Sequence, residues 1–215
     1  CDSDLVLLDA SALEPHELEL RIRSLCATHG DVGAVVDLTS LDGSLDPRDV
    51  GRARGTIDVE RHVNEATSVT RRAYAITRAL YGVMNAARED GRDFAWLAAT
   101  SMGGGLGLLP SSGSGPGGAL GGFMKSLKQD LPWVAARTVD LDPTEDADWI
   151  AETLLAELAA GGERVEAGWP ARCRLIPVLR LAPHGPAKRT PLERAPVVFP
   201  GGTRGVVLEC ARSLS

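Results

Sequence analysis

The 215-residue sequence has little of what marks a metal, redox or membrane protein. Its four cysteines, Cys1, Cys26, Cys173 and Cys210, are far apart and form no CxxC pair, which argues against a zinc site or a redox dithiol. No apolar run approaches the ~20 residues that a membrane-spanning helix needs. The first ten residues lack the basic start of a secretory signal. The composition therefore predicts a reduced, cytoplasmic protein without a membrane segment.

Positive charge is also scarce. The sequence has 23 Lys and Arg residues and 29 Asp and Glu residues, which gives a net charge of −6. This charge disfavours a nucleic-acid partner, since proteins that bind nucleic acids present a basic surface. Residues 1–50 hold eleven acids against three arginines, whereas residues 164–215 hold nine basic residues against three acids. This asymmetry has two interpretations: two solvated surfaces of one domain, or a basic end that meets a phosphate or an acidic partner.

Apolar runs rich in β-branched residues alternate with helical patterns along the chain. Strands are predicted at 4–10, 32–40, 94–100, 133–143 and 172–183, and helices at 14–28, 60–90 and 123–131. A further helix is predicted after Thr144, with Ile150, Leu154, Leu155 and Leu158 on its buried side. The pattern over 60–90 is the clearest, because seven small or apolar residues from Ala66 to Ala87 step by three and four positions. Parallel strands need crossover connections, so the alternation predicts an α/β fold with a doubly wound parallel sheet and helices on both faces.

Glycine is missing where a dinucleotide would need it. The first predicted strand ends near Ala10, yet the first glycine of the chain is Gly30. A pyrophosphate needs close approach of backbone N–H groups at that turn, and the two acids at 11–17 would repel it. The sequence therefore argues against a cofactor site within residues 1–183. The four histidines are scattered without metal-ligand spacing, and no GxSxG or GKS/T motif occurs, so no metal site is predicted.

Several segments carry a family resemblance through their order and spacing. They are the long helix at 60–90, FAWLAATS, GPGGALGGFMKSLKQDLPWVAARTVDLDP, CRLIPVLRLAP and PVVFPGGTRG. Together they resemble the ketoreductase region of a type I polyketide or polyunsaturated-fatty-acid synthase, a branch of the short-chain dehydrogenase/reductases. The resemblance implies a truncated Rossmann-like structural subdomain at 1–183, a Pro-rich linker at 184–195, and the first strand, turn and helix of the catalytic subdomain at 196–215.

The resemblance also says where a catalytic set would lie. In a working reductase of this class a strand-end Ser is followed by a Tyr and, four residues later, a Lys. Ser101 stands at the Ser position, but the Tyr and Lys positions fall on Gly113 and Gly117, which cannot move a proton. The resemblance thus implies no catalytic residue in this chain. Tyr74 and Tyr81, on the long helix, are expected to be packing residues.

The C-terminal segment resembles a dinucleotide-binding turn. The family pattern TGGxxGxG is matched by three glycines, and an arginine in the turn could meet a phosphate; the implied cofactor-binding residues are Gly201, Gly202, Arg204 and Gly205. Pro200 and Val207 depart from the pattern. One strand–turn–helix unit cannot hold a dinucleotide, because ribose and nicotinamide contacts come from later strands. The resemblance therefore implies NADPH binding only with the rest of the catalytic half, and none by this chain alone.

Three functions follow as hypotheses. The first is a structural subdomain of a ketoreductase, whose parent would reduce β-ketoacyl thioesters on an acyl carrier protein with NADPH. The second is an active short-chain reductase with a displaced acid such as Tyr74. The third is a docking module for an acyl carrier protein through a basic end made of Arg172, Arg174, Arg180, Lys188 and Arg189. The partners implied are the catalytic subdomain and the carrier protein. The Ala66–Ala87 stripe could face that subdomain or a second copy in a homodimer.

Overall fold

A computed structural model of the chain describes residues 5–10, 12–30, 32–41, 59–109, 117–161, 164–183 and 205–214. Its contacts divide the chain into two compact units, Cys1–Pro177 and Val178–Ser215. The division falls a few residues before the boundary at 183 that the sequence predicts, and that boundary remains a prediction. In the described part of the chain, no helix has both the length and the apolar character needed to cross a bilayer.

The first unit contains one four-stranded sheet. Its strands are β1 (Ala34–Ser40), β2 (Phe94–Thr100), β3 (Val134–Leu141) and β4 (Glu166–Trp169), all parallel and in that spatial order. Helix α1 (Pro15–His29) precedes β1, and the helices that connect successive strands are α2 (Val59–Glu89), α3 (Gly117–Asp130) and α4 (Ala147–Ala159). A 3₁₀ turn at Pro170–Arg172 follows β4. The α/β class predicted from the sequence is confirmed.

Helices cover both faces of this sheet. On one face, α1, α2 and α3 pack on Phe94, Trp96 and Val134, whereas on the other α4 packs on Leu97 and Val139. The strand order advances in one direction throughout, yet the connecting helix changes face after β3. The β3–α4–β4 connection therefore has the opposite hand to the two connections before it. Since right-handed crossovers are the strong norm, the sheet contains a connection of the rarer hand.

The stripe of α2 predicted from its spacing is confirmed as a buried face. Ala73, Ile76, Leu80 and Ala87 are at most 4% exposed and belong to the core between α2 and the sheet. The proposal that this stripe faces a catalytic subdomain or a second copy is wrong for a simple reason. The stripe is already covered by the sheet of its own unit, so any partner surface of α2 must lie on another side of the helix.

Two predicted strands are wrong. Residues 5–10 of the predicted strand 4–10 form no strand; Leu5 and Leu7 are exposed, while Leu8 and Ala10 pack against the core. In the predicted strand 172–183, only Leu175 pairs, as an isolated antiparallel bridge to Gly168. The fourth strand is instead Glu166–Trp169. An apolar run becomes a strand only when a neighbouring edge accepts its backbone hydrogen bonds, and composition does not report that edge.

The second unit is described at both of its ends. Residues 178–183 are irregular, with Leu179 and Leu181 fully exposed, and α5 spans Gly205–Leu214. The predicted linker 184–195 and the predicted strand and turn before α5 lie outside the described residues, apart from Gly205 itself.

Candidate functional site

The carboxyl edge of the sheet is where an open parallel sheet normally binds its ligand. In this chain the edge is formed by the ends of β1, β2, β3 and β4 and by the loop that follows β2. We name residues 101–109 the edge loop. Its described contacts decide whether the edge is available for a ligand.

Asp140, near the end of β3, is the central side chain of this edge. It is completely buried. Its Oδ1 accepts hydrogen bonds from Thr100 Oγ1 at 2.8 Å and from the Met102 N–H at 2.7 Å, and its Oδ2 accepts one from the Leu106 N–H at 2.7 Å. Burial raises the pKa of Asp140, and the hydrogen bonds from the edge loop oppose that rise without cancelling it. The carboxyl group therefore binds the edge loop to β3.

The backbone of the edge loop explains its glycines. Gly103, Gly104 and Gly107 have φ values of 90°, 73° and 70°, and Leu106 adopts the same left-handed region at 56°. Side chains rarely occupy that region, so the loop needs glycine at most of these positions. The fold places Leu106 there because its N–H donates to Asp140. The loop conformation is therefore held by the buried carboxylate.

The edge loop also lies directly against the end of β4. A Cβ atom on Gly104 would lie 2.5 Å from the Pro170 nitrogen, and a Cβ on Gly168 would overlap the Gly104 carbonyl oxygen. The Gly103 N–H donates to the Leu141 carbonyl oxygen at 3.2 Å. The space above β3 and β4 is thus filled by the chain's own backbone rather than left open as a crevice.

Ser101 occupies the end of β2, where the sequence predicted a strand-end hydroxyl. Its Oγ donates to the Ser40 carbonyl oxygen at 3.3 Å, and the residue is 6% exposed. This contact ties the end of β2 to the end of β1. The hydroxyl is therefore engaged in a contact within the fold, and the absence of a catalytic role for Ser101 stays a prediction.

Of the two glycines at the implied Tyr and Lys positions, only Gly117 is among the described residues. Gly113 lies outside the described residues. Gly117 begins α3 and is buried, and a Cβ there would lie 3.0 Å from both Thr100 Cβ and Met102 Sδ. A longer side chain could not occupy this position unless β2 and the edge loop moved.

Of the four implied cofactor-binding residues, Gly201, Gly202 and Arg204 lie outside the described residues. Gly205 is the first residue of α5, and its φ of 68° lies in the left-handed region that favours glycine. Its role in binding NADPH remains a prediction.

The tyrosines are not packing residues, and this expectation is wrong. Tyr74 is 57% exposed and Tyr81 is 51% exposed, because both lie on the side of α2 opposite its buried stripe. The Arg78 guanidinium carbon lies 5.9 Å from the centre of the Tyr74 ring. The exposure of both rings assigns them to the surface.

Two residues of the predicted basic docking end are paired with acids of the first unit. Arg172 bonds to Glu145 and Asp146, and Arg174 bonds to Glu157. Hydrogen bonding and charge from Glu145, together with Asp146, raise the pKa of Arg172 despite opposing desolvation. Lys188 and Arg189 lie outside the described residues. Two of the five arginines and lysines invoked are therefore already paired with acids of the fold.

Glu157 is a buried centre that the sequence did not reveal. Its carboxylate accepts from Arg137 at 2.7 Å and from the Trp169 indole N–H at 3.0 Å, besides its bonds to Arg174. Burial raises the pKa of Glu157, but the hydrogen bonds and positive charges outweigh that effect and the pKa lies below its ordinary value. Arg137 also donates to the Glu157 and Gly161 carbonyl oxygens, closing the end of α4 onto β3.

One signal in the sequence could have found both buried centres. Arg137 and Asp140 stand within an otherwise apolar strand, and a charged residue inside a buried strand needs a partner. The identity of that partner depends on the packing of α4 and of the edge loop. Among the residues that the structure describes, no group of three or more His, Cys, Asp or Glu side chains could hold a metal ion.

Comparisons with known proteins give little beyond the fold. No protein-family model matches the sequence, and no curated protein matches it. Among solved structures, the chain is similar to one described as the adenylation, ketoreductase and pseudo Asub multidomain structure of a keto acid-selecting NRPS module, with 13% identity and a TM-score of 0.48. The match covers 75% of this chain but only 12% of that one. The ketoreductase resemblance seen in the sequence therefore remains a proposal.

Proposed function

We propose that this chain is the structural, non-catalytic subdomain of a ketoreductase in a modular or iterative polyketide synthase, with the beginning of the catalytic subdomain at its C-terminal end. The parent enzyme would reduce β-ketoacyl thioesters on an acyl carrier protein, with NADPH as hydride donor. The chain alone would perform no reduction. Its task would be mechanical: to pack against the catalytic subdomain and keep the cofactor-binding helices in place.

The observation that carries this proposal is the filled carboxyl edge. Asp140 accepts three hydrogen bonds that fold the edge loop over β3, and Gly104 lies against Gly168 and Pro170 at the end of β4. A reductase needs this edge open for its cofactor and substrate. A sheet whose own backbone fills the carboxyl edge above β3 and β4 supports a scaffold role more than a catalytic one.

The positions implied by the resemblance support the same proposal. Gly117 replaces the lysine of a working reductase and is too closely packed for a long side chain. The Ser101 hydroxyl donates to the Ser40 backbone rather than pointing toward a reacting carbonyl. Without a proton donor at these positions, hydride transfer to a ketone would lack its acid.

NADPH titration of the full chain tests the proposal. Tryptophan fluorescence is a suitable readout because Trp96 is buried in β2 and Trp169 ends β4. We expect no saturable quenching by NADPH up to millimolar concentration and no turnover of a β-ketoacyl thioester. Saturable quenching would contradict the proposal. Turnover that disappears in Tyr74→Phe would instead establish the alternative of an active reductase with a displaced acid.

A second observation uses the parent gene. If the chain is the structural half, the reading frame downstream of Ser215 should encode the Ser and YxxxK set of the catalytic half. A frame that stops without that set would remove the partner on which the proposed scaffold role depends.

A further inference from the structure

The strand β1 is an open edge of the sheet. In the described part of the chain, β1 pairs only with β2. The Ala95 N–H donates to the Gly33 carbonyl oxygen, so alternation along the strand turns the N–H and C=O groups of Ala34 and Val36 away from β2. Those groups face outward and can pair with a further strand. The sequence of β1 contains neither a lysine nor a proline, the residues with which natural proteins commonly block such an edge.

The side chains of β1 give this edge a definite pattern. Val36 pairs in register with Leu97, which belongs to the core on the α4 face of the sheet. Val36 and Leu38 therefore lie on that face, where they are 39% and 47% exposed. Asp37 lies on the opposite face, in register with Ala98, and is only 5% exposed. The edge thus presents an apolar, an acidic and an apolar residue in succession.

Asp37 is a buried carboxylate without a positively charged partner among the described residues. Its Oδ1 accepts hydrogen bonds from the Thr39 N–H at 3.0 Å and from Thr39 Oγ1 at 2.7 Å, both within its own strand. None of the salt bridges in the described part of the chain includes it. A buried charge is costly unless it is paired, so a guanidinium group brought to this edge would be favourable.

Residues 178–182 have the complementary pattern. This run, Val-Leu-Arg-Leu-Ala, is bounded by a proline on each side, and Leu179 and Leu181 are fully exposed. Arg180, between the two leucines, is also exposed and takes part in no salt bridge of the described residues. The sequence predicts a strand here, and the structure shows an irregular segment instead. Residues 178–182 are thus an apolar, basic, apolar run without a partner strand in the described structure.

The two patterns match when Arg180 lies opposite Asp37. Directly opposed residues of neighbouring strands point to the same face of a sheet. That register places the two leucines of the segment beside the two exposed apolar residues of β1 on the α4 face. It places the guanidinium group beside the buried carboxylate on the other face. Because apolar residues flank the charge on both strands, the match holds for either direction of the added strand.

Chain length decides that this pairing joins two copies. Leu175 bridges to Gly168 on the outer side of β4, at the edge of the sheet opposite to β1. With strands about 4.8 Å apart, the outer side of β1 lies roughly 24 Å from Leu175. The four residues from Leu175 to Leu179 span at most about 14 Å when fully extended. The segment therefore cannot reach the β1 edge of its own sheet.

From these observations we propose that residues 178–182 of one copy add as a strand to the β1 edge of a second copy. Main-chain hydrogen bonds supply the affinity of such an added strand, and the alternate side chains supply its specificity. The contact is head to tail, because each copy gives its segment to one neighbour and its β1 edge to another. This surface is distinct from the buried stripe of α2, and the inference does not depend on the ketoreductase proposal.

Sedimentation velocity of the full chain over a range of concentrations tests the proposal. We expect the mass to grow with concentration beyond two copies, because a head-to-tail contact always leaves one edge and one segment open. Leu179→Asp/Leu181→Asp and, separately, Arg180→Glu should each weaken the association at least ~10-fold, whereas Arg180→Lys retains most of it. Val206→Asp, at another exposed apolar residue of the second unit, is the matched control and should associate as the unaltered chain does.

Mixing two variants separates this contact from non-specific association. Leu38→Lys blocks only the edge, and Leu179→Asp/Leu181→Asp blocks only the segment. Each variant should be monomeric alone, whereas an equimolar mixture should form heterodimers that grow no further, since one intact edge meets one intact segment. Far-UV circular dichroism verifies that the edge variant is folded, and Val36→Lys replaces it if it is not.

Three results would overturn the proposal. The first is an unaltered chain that stays monomeric at every concentration. The second is an association that the Val206→Asp control loses as strongly as the segment variants do. The third is a mixture of folded edge and segment variants that remains monomeric. A dimer that persists in the segment variants would also overturn it, because the copies would then meet through another surface.

Discussion

Replacing Asp140 by Asn tests whether a buried carboxylate closes the carboxyl edge. The amide keeps the size of the side chain and one oxygen, which can still accept from Thr100 and the Met102 N–H. The amide nitrogen then faces the Leu106 N–H, a donor that has lost its acceptor. The substitution therefore releases the edge loop at Leu106 while leaving its first contacts in place.

The size of the effect follows from two opposing terms. A buried hydrogen bond to a charged group contributes ~1.5–3 kcal/mol, and leaving its donor unsatisfied costs a similar amount. Against this, the variant no longer buries a charge, which is the effect that raises the pKa of Asp140. The gain from removing the buried charge partly offsets the cost of the lost hydrogen bond. We therefore expect the variant to lose about 1–2 kcal/mol of unfolding free energy at neutral pH.

The raised pKa gives the pH dependence its sign. Because the folded state holds the Asp140 proton more tightly than the unfolded state, the stability contributed by this group is greatest below the ordinary carboxyl pKa of about 3.9. That contribution is lost as the pH rises through the folded-state pKa. The Asn variant has no such titration. The stability difference between the unaltered chain and Asp140→Asn should therefore be larger near pH ~4 than at pH ~7.

Urea unfolding at pH ~4 and pH ~7, followed by tryptophan fluorescence, measures the loss of unfolding free energy and its pH dependence. Hydrogen exchange of the Leu106 amide measures directly whether that amide of the edge loop is still protected. Asp142→Asn is the matched control, because Asp142 is close in sequence but its carboxylate accepts its hydrogen bonds from Thr144 and none from the described edge loop. It should leave the Leu106 amide protected. If Asp140→Asn left both the unfolding free energy and that protection unchanged, the claim that the Asp140 carboxylate holds the edge loop over β3 would be wrong.

Three further substitutions probe the packing around the sheet. Glu157→Gln should cost about 3–5 kcal/mol at neutral pH in urea unfolding, because it leaves the buried Arg137 guanidinium without its carboxylate; since the folded-state pKa of Glu157 is lowered, the loss should shrink as the pH falls through that pKa. Gly168→Ala should cost about 1–3 kcal/mol or prevent folding, measured by thermal unfolding, because its Cβ would overlap the Gly104 carbonyl oxygen. Gly122→Ala, on the open side of α3, should instead stabilise by about 0.5–1 kcal/mol in the same assay.

Opposite results would be informative in each case. A Glu157→Gln variant as stable as the unaltered chain would show that Arg137 is satisfied by carbonyl oxygens alone. A tolerated Gly168→Ala would show that the edge loop does not press on β4. Destabilisation by Gly122→Ala would mean that the exposed side of α3 is covered in solution.

The helical and strand patterns of the central part of the chain could be predicted from the sequence. The seven-residue stripe from Ala66 to Ala87 specified the buried face of α2, and FAWLAAT specified β2 to the residue. Both signals are local, because the spacing of apolar residues indicates which face of a helix or strand is buried. The same reasoning gave wrong strands at 4–10 and 172–183. Both segments contain an apolar run, but their described residues do not pair along the edge of the sheet as a strand would.

The candidate site was less predictable than the fold. The positions of Ser101 and Gly117 at the carboxyl edge could be read from their order in the chain, but the closing of that edge could not. It depends on Asp140 meeting amides of the edge loop 34 to 38 residues away, and on the approach of Gly104 to Gly168. Likewise, Tyr74 and Tyr81 could be placed on α2, but their exposure depends on which side of the helix meets the sheet.

The sequence by itself determined the α/β class, the helical stripe and the lack of proton donors at the implied catalytic positions, because these depend on residue type and on spacing within one element. The tertiary structure decided the change of face by α4, the partners of Arg137 and Asp140, and the filling of the ligand edge. Those features arise where elements distant in the chain meet, and their energies depend on distances and burial that no local pattern contains.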